Sequence, residues 1–533
     1  MMRGLLLASL LLVAGIAGCL DGSSDERAGG AAGLRGAGKV SGSAPVPAEW
    51  AELAAGEQHN HADIKLHQNL STPNFETLGY NPLVTDYYGR SSGGYFCGAA
   101  QEKAGRRIAI VHSFVSDVAL LINDVTDVTN PQKVGELVMA NTQVYDVALS
   151  PDLKYALLAT SPLDGGPDKV GSDATTRDVS FRDACSGETR PVQGPEQGLP
   201  YASGVVLVDI TNPRNPVIAD FRFLPAGGAH SVRAYEINNR NIVVTTALNP
   251  PVGYAAIFEI QNIAGGPRLQ LLSTFVPYVN HAPRDPVPKA TYIHDAYVQK
   301  HPITGDTILY LAWGTYGLVL ANLNDLAQPR QIAFWSDWSK VTKNAGAHFI
   351  HEALPATEAW EGRHYTFIGE ECGGRPAEAP TCLITTLDTT DPAKPTWVGS
   401  WTLPVDAAWT GTYQFSTHYI ARVNRTLFVS TYHGGVWAVD VSTDEARRHM
   451  PSIGVFLPTR ESPKPWPGMG QGTTVLQVLF ADVRVNSKPF VLDLEALPDG
   501  TLVVFEGSTG LYTARFDEAN PAPPPKPWPL GYS

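Results

Sequence analysis

The chain is predicted to be an all-β protein: a seven-bladed β-propeller of four-stranded antiparallel blades, its ring closed by an N-terminal strand. Three observations lead there. Gly (50) and Pro (42) are abundant in a chain of 533 residues, too frequent for a helical protein and normal for many short strands joined by turns. Apolar runs of five to eight residues, rich in Val, Ile, Leu, Tyr and Phe, recur from about Asp63 to Phe516 and fall into groups of four. A turn motif recurs between third and fourth runs: Asp209-Ile-Thr-Asn-Pro-Arg-Asn-Pro216, Asp388-Thr-Thr-Asp-Pro-Ala-Lys-Pro395 and Asp127-Val-Thr-Asn-Pro131. Asp or Asn before Pro disfavours helix and caps its own turn, so the motif serves as punctuation. Length alone would argue for several domains, but repeat folds grow as one unit.

The fourth blade is the most regular, with runs Ile293–Val298, Ile308–Trp313, Leu318–Leu323 and Gln331–Trp335. The sixth reads His418–Val423, Thr426–Thr431, Val436–Val441 and Ser452–Leu457, and the second Val144–Leu149, Tyr155–Thr160, Val205–Ile210 and Val217–Phe223. A Gly/Pro-rich insertion occupies about 161–203 of the second blade. The third blade runs from His230 to about Val276, the fifth from His348 to about Thr402, and a less regular first blade lies between Leu83 and Val138. The last blade offers only three runs, Phe490–Leu497, Thr501–Glu506 and Leu511–Phe516. Its missing fourth strand is expected from Ala62–Leu70, paired to Leu511–Phe516, because joining the chain ends removes open sheet edges.

The N-terminus reads as an address. Met1-Met2-Arg3 is a short basic start, Gly4 to Ile16 is an apolar run too short for an ordinary span, and Ala17-Gly18 leads into Cys19. Ile16-Ala17-Gly18-Cys19 looks like a lipobox, which implies a signal peptide (1–18), lipidation of Cys19 and a Gly/Ala/Ser-rich tether (19–58). The propeller would then occupy 59–518, followed by a Pro-rich tail (519–533), and the protein would be exported and held on the lipid bilayer by Cys19. Four cysteines remain. Cys372 and Cys382 flank a Gly/Pro loop and are expected to form a local bridge, and Cys97–Cys185 follows by elimination. A net charge of −13 without a Lys/Arg run argues against nucleic acid, and nothing points to a nucleotide.

Histidines carry the main chemical signal. The first strand of a propeller blade lines the central channel, and four consecutive blades start that strand with His: His230-Ser231, His294-Asp295, His351-Glu352 and His418-Tyr419. Only 14 histidines occur in the chain, so a shared phase predicts an arc at one channel mouth. Imidazoles aimed at one point make a transition-metal site, copper first and zinc second. Second strands end at the same face, which adds Glu370, Glu371 and His433, and His348 lies three positions before His351. The metal candidates are therefore His230, His294, His351, His418, His348, Glu371 and His433. Asp295 and Glu352 are expected on the opposite side of their strands, supporting a neighbouring blade's histidine. The alternative is structural: a polar residue at each strand start that bonds inter-blade backbone or water.

Weaker constellations resolve toward structure. Gly89-Arg-Ser91-Ser-Gly93 matches a nucleophile-elbow string but lacks the strand–turn–helix setting that motif needs. Trp313, Tyr316, Trp335 and Trp338 read as inter-blade packing before a binding patch. Asp127 and Asp209 are explained as turn caps without calcium.

The turn motifs, with Thr501-Leu-Val-Val-Phe-Glu-Gly-Ser-Thr-Gly-Leu-Tyr512, resemble the LVIVD-repeat family of exported propellers over nearly the whole mature chain. The run His418-Tyr-Ile-Ala, Leu427-Phe-Val-Ser-Thr-Tyr-His433-Gly434, Val439-Asp-Val-Ser442 also resembles the selenium-binding protein/methanethiol oxidase family, although no cysteine motif is shared. The first resemblance implies the fold. The second implies a copper-dependent oxidoreductase acting on a small thiol. Three readings follow: an envelope-anchored propeller binding a metal ion, a small ligand or an envelope protein; that oxidoreductase; or a surface interaction module with inert histidines.

Overall fold

The computed structural model describes residues 71–522 except 87–89, 92–93, 115–116, 140–141, 163–179, 183–188, 192–202, 225–227, 248–252, 279–291, 342–347, 372–381, 404–415, 433, 459–489 and 508. Seven four-stranded antiparallel sheets follow one another as blades. The first six are Tyr95–Lys103 to Gln132–Val138, Thr142–Leu149 to Val217–Phe223, Ala229–Ile237 to Gly266–Phe275, Asp295–Lys300 to Arg330–Trp335, Ile350–Pro355 to Thr396–Thr402, and Ile420–Val423 to Ser452–Phe456. The seventh joins Val491–Ala496, Leu502–Glu506 and Gly510–Phe516 to Phe75–Asn81. Among the described residues the only α-helix is the short Asp444–His449, and no helix is long and apolar enough to cross a membrane.

The ring closes as a propeller should, but the closing strand differs from the expected one. Phe75–Asn81 pairs with Leu511–Phe516, from Phe75 opposite Phe516 to Asn81 opposite Leu511. The expected Ala62–Leu70 lies outside the described residues, and its place is taken. The reason is aromatic fit. Phe75 is buried with its ring centroid 4.8 Å from Phe516 and 5.6 Å from Phe456, and Tyr80 lies 4.7 Å from Tyr512. The segment 62–70 carries no aromatic ring apart from its histidine.

The core is distributed between blades rather than centred. Seven apolar clusters fill the seven inter-blade gaps, each drawing on two neighbouring sheets. Trp313 and Tyr316 stack in one such gap, and Trp335 and Trp338 meet in the next, which supports the packing reading of those aromatics. The turns expected to be capped by aspartate are so built. Asp127 Oδ1 accepts the amide of Thr129 at 3.0 Å, and Asp209 Oδ1 accepts that of Thr211 at 2.9 Å. Each turn presses on its neighbour: a β-carbon at Gly135 would lie 1.8 Å from the Pro213 carbonyl oxygen, so only glycine admits the second blade's turn there.

The inner strands share one irregularity that positions everything at the channel. In five blades the register shifts where the strand begins, between Tyr95 and Gly98, Val144 and Asp146, Ala229 and Ser231, Ile350 and Glu352, and Val491 and Asp493. In the fourth, the His294 amide donates to Ala312, the residue paired with Asp295; in the sixth, Ser430 faces both His418 and Tyr419. Two residues oppose one in each case, which is a β-bulge.

Cys97, on the first inner strand, is a buried free thiol, so the Cys97–Cys185 bridge is not formed. Its sulfur lies among inner-strand residues, 4.0 Å from the Tyr419 hydroxyl. Cys185 and Cys372 are outside the described residues, so the expected Cys372–Cys382 bridge falls outside them as well.

Candidate metal centre

The bulges turn the starting residues of the inner strands toward the channel, and four of them are histidines. Ring centroids of His230 and His294 lie 4.2 Å apart, those of His294 and His351 3.8 Å, and those of His351 and His418 4.1 Å. The four rings therefore form a continuous arc at one end of the ring of blades. His294, His351 and His418 are buried, and His230 is the least enclosed. Glu371 arrives from the end of the second strand of the fifth blade, its Oε2 4.0 Å from His294 Nε2. One donor atom from each of His294, His351 and Glu371 falls within 4.8 Å of the others.

The hydrogen bonds leave this group unsatisfied. His230 Nε2 and His294 Nε2 are 2.8 Å apart, so one must carry the proton and the other accept it. That leaves Nδ1 of His230, of His294 and of His351 buried without a partner. A buried polar atom with no partner costs about 1–3 kcal/mol. His418 is better provided for: its Nδ1–H donates to the Leu492 carbonyl at 2.7 Å, which leaves its Nε2 as the lone-pair nitrogen. Burial pushes His230 and His418 down to about 3 and, together with the neighbouring rings, holds His294 and His351 well below the usual histidine range. All four rings are thus neutral, the state in which imidazole binds metal. Burial raises the Glu371 carboxyl to about 7, opposed by a hydrogen bond from the Tyr432 hydroxyl.

Other candidates go elsewhere. His348 is not part of the arc; its Nδ1 bonds Glu370 Oε1 at 2.6 Å and its ring stacks on Trp338. His433 lies outside the described residues. Asp295 and Glu352 do not support neighbouring histidines. Asp295 accepts Arg233 Nη2 at 2.9 Å and Glu352 accepts the Tyr297 hydroxyl at 3.0 Å. The bulge explains the difference: it puts two successive residues on the channel side, where strict alternation would part them.

These acids belong to a second layer that the sequence reading missed. Arg233, three residues after His230, is paired to Asp146 at 3.0 Å and to Asp295 at 2.9 Å. Its guanidinium also lies over Tyr419, 5.1 Å from the ring centroid. Asp146 and Asp493 each accept an amide from the next blade, Val232 at 2.9 Å and Gly98 at 2.9 Å, and so stitch inner strands together. A lone Arg in a strand gives no periodic signal, and only topology brings its two partners to it. Aromatic side chains surround the histidines: Tyr145 and Tyr292 flank His230, and Phe349 packs on His294.

No family model and no curated protein matches the chain. Among solved structures, the chain is similar to a crystal structure of a protein from Lactobacillus plantarum, with 15% identity and a TM-score of 0.45 over 77% of this chain and 92% of that one. That likeness is too distant to carry an argument, and the seven-bladed propeller rests on the strand pairing itself.

Proposed function

We propose that the protein is an exported, lipid-anchored β-propeller that holds a transition-metal ion at the histidine-lined end of its channel, with His294, His351 and Glu371 as ligands and His230 and His418 beside them. The observation that supports this most is the convergence of neutral imidazoles and a carboxylate, with one donor atom each of His294, His351 and Glu371 within 4.8 Å of the others, in a group where Nδ1 of His230, His294 and His351 is buried without a partner. A purely structural ring would leave those nitrogens a standing cost, whereas a coordinated ion gives a lone pair its partner. Three nitrogen/oxygen ligands with a further histidine in reach as a fourth suit copper or zinc. A bound ion would supply Lewis acidity or, if copper, one-electron chemistry. Export and anchoring rest on the first nineteen residues alone.

Titration of untagged, metal-stripped protein with Zn²⁺ and Cu²⁺ tests the reading. We expect one tight site per chain, abolished in a His294→Ala/His351→Ala double variant that keeps its β-sheet circular dichroism. Binding that survives the double variant contradicts it. No binding at all returns the protein to a surface module with inert histidines. Tight, selective copper binding favours the oxidoreductase reading, which thiol-dependent oxygen consumption would then check.

A further inference from the structure

We propose that Tyr432 is the positioning residue of this site: its phenol holds one oxygen of Glu371 and leaves the other to meet the ion. The inference rests on the metal reading above. Tyr432 follows the second strand of the sixth blade and has φ +50°, a left-handed backbone that a bulky L-residue rarely adopts. Its backbone is tied on both sides, the amide donating to the Val491 carbonyl at 3.1 Å and the carbonyl accepting the Val491 amide at 3.0 Å. The ring packs against Phe490 at 5.0 Å and His418 at 5.5 Å, so it has little freedom to turn. From that clamp the hydroxyl donates to Glu371 Oε1, a residue of the neighbouring blade.

The carboxylate is placed by this bond and by its neighbour in sequence. Glu370 takes His348 Nδ1–H at 2.6 Å and the Leu383 amide at 3.1 Å, whereas Glu371 is directed to His294. With Oε1 engaged by the phenol, Oε2 is the oxygen 4.0 Å from His294 Nε2. Tyrosine and glutamate are both buried, so no solvent competes for the bond. An unusual backbone at the residue that bonds a sequestered carboxylate beside His294 and His351 is the kind of place where strain is retained for function. Partners that orient a ligand in this way set metal affinity about 10–100-fold.

Tyr432→Phe keeps the ring and removes the hydroxyl. Titration with Zn²⁺ is expected to show about 10–100-fold weaker binding, and the Co²⁺-loaded variant an altered visible spectrum, with the β-sheet circular dichroism of the metal-free protein retained. Equal affinity and an identical spectrum in variant and wild type overturn the positioning role while leaving the metal site standing. Should the variant not fold, X-ray absorption on Zn²⁺-loaded wild type decides: a single carboxylate oxygen at about 2.0–2.2 Å supports the role, and bidentate coordination contradicts it. A wild type that binds no ion removes the metal reading and this inference together.

Discussion

His112 shows how much of this molecule depends on keeping titratable groups neutral. It is fully buried, accepts the Cys97 amide on Nε2 at 3.2 Å, and leaves Nδ1 unpartnered. Burial lowers it to about 3. The sign follows directly: below the unfolded value of about 6.5 the unfolded chain takes up a proton that the folded chain refuses, so stability falls as pH drops from there toward 3. Each pH unit costs about 1.4 kcal/mol. His112→Gln removes that dependence. Urea unfolding at pH 7.5 and 4.5 should show wild type losing about 2.7 kcal/mol relative to the variant, two units below 6.5. A difference that does not change with pH contradicts a neutral, buried His112. At this scale the sequence was informative about the arc histidines because four of them share a strand position. It was silent about Tyr432 and Arg233, which announce themselves only through partners in other blades.

At the scale of elements, the strands were legible because apolar runs recur in groups of four and the Asx-Pro turn motif occurs three times along the chain. Which segment closes it was harder to read. Residues 62–70 and 75–81 both alternate, and the decision rests on whether Phe75 finds the aromatic gap between the sixth and seventh blades. Phe75→Ala is therefore expected to cost about 3–5 kcal/mol, measurable as a lower denaturation midpoint. Deleting the chain through residue 82 should leave the Gly510–Phe516 edge unpaired and promote association, seen by light scattering. A deletion variant that stays monomeric with an unchanged midpoint would show that another segment can close the ring. The bulges were invisible to periodicity because they insert no glycine or proline at the shifted step. Their consequence is large: they move Asp146, Asp295 and Asp493 into a layer that links blades and pairs Arg233.

Across the whole molecule, seven inter-blade cores make a rigid ring whose centre is built in layers. Histidines occupy one end, and the next layer is the ion-paired Arg233 with its acids. Arg233→Met removes the only cation placed there among the described residues and leaves Asp146 and Asp295 buried without it. Such unpaired burial costs about 3–5 kcal/mol, so a markedly lower thermal midpoint is expected, and an unchanged one would mean that the pair is not formed. The carboxyls would then be held protonated, since burial already raises both against the pull of the guanidinium.

The histidine end is where function is proposed, and locating an ion there is the direct test. Crystals of the untagged protein soaked in Zn²⁺ or Cu²⁺, with diffraction collected on both sides of the metal's absorption edge, give the ion's position. One strong anomalous peak is expected within bonding distance of His294, His351 and Glu371, at about 2.0–2.2 Å. A saturated crystal with no peak there, or with its strongest peak on surface carboxylates, would contradict it.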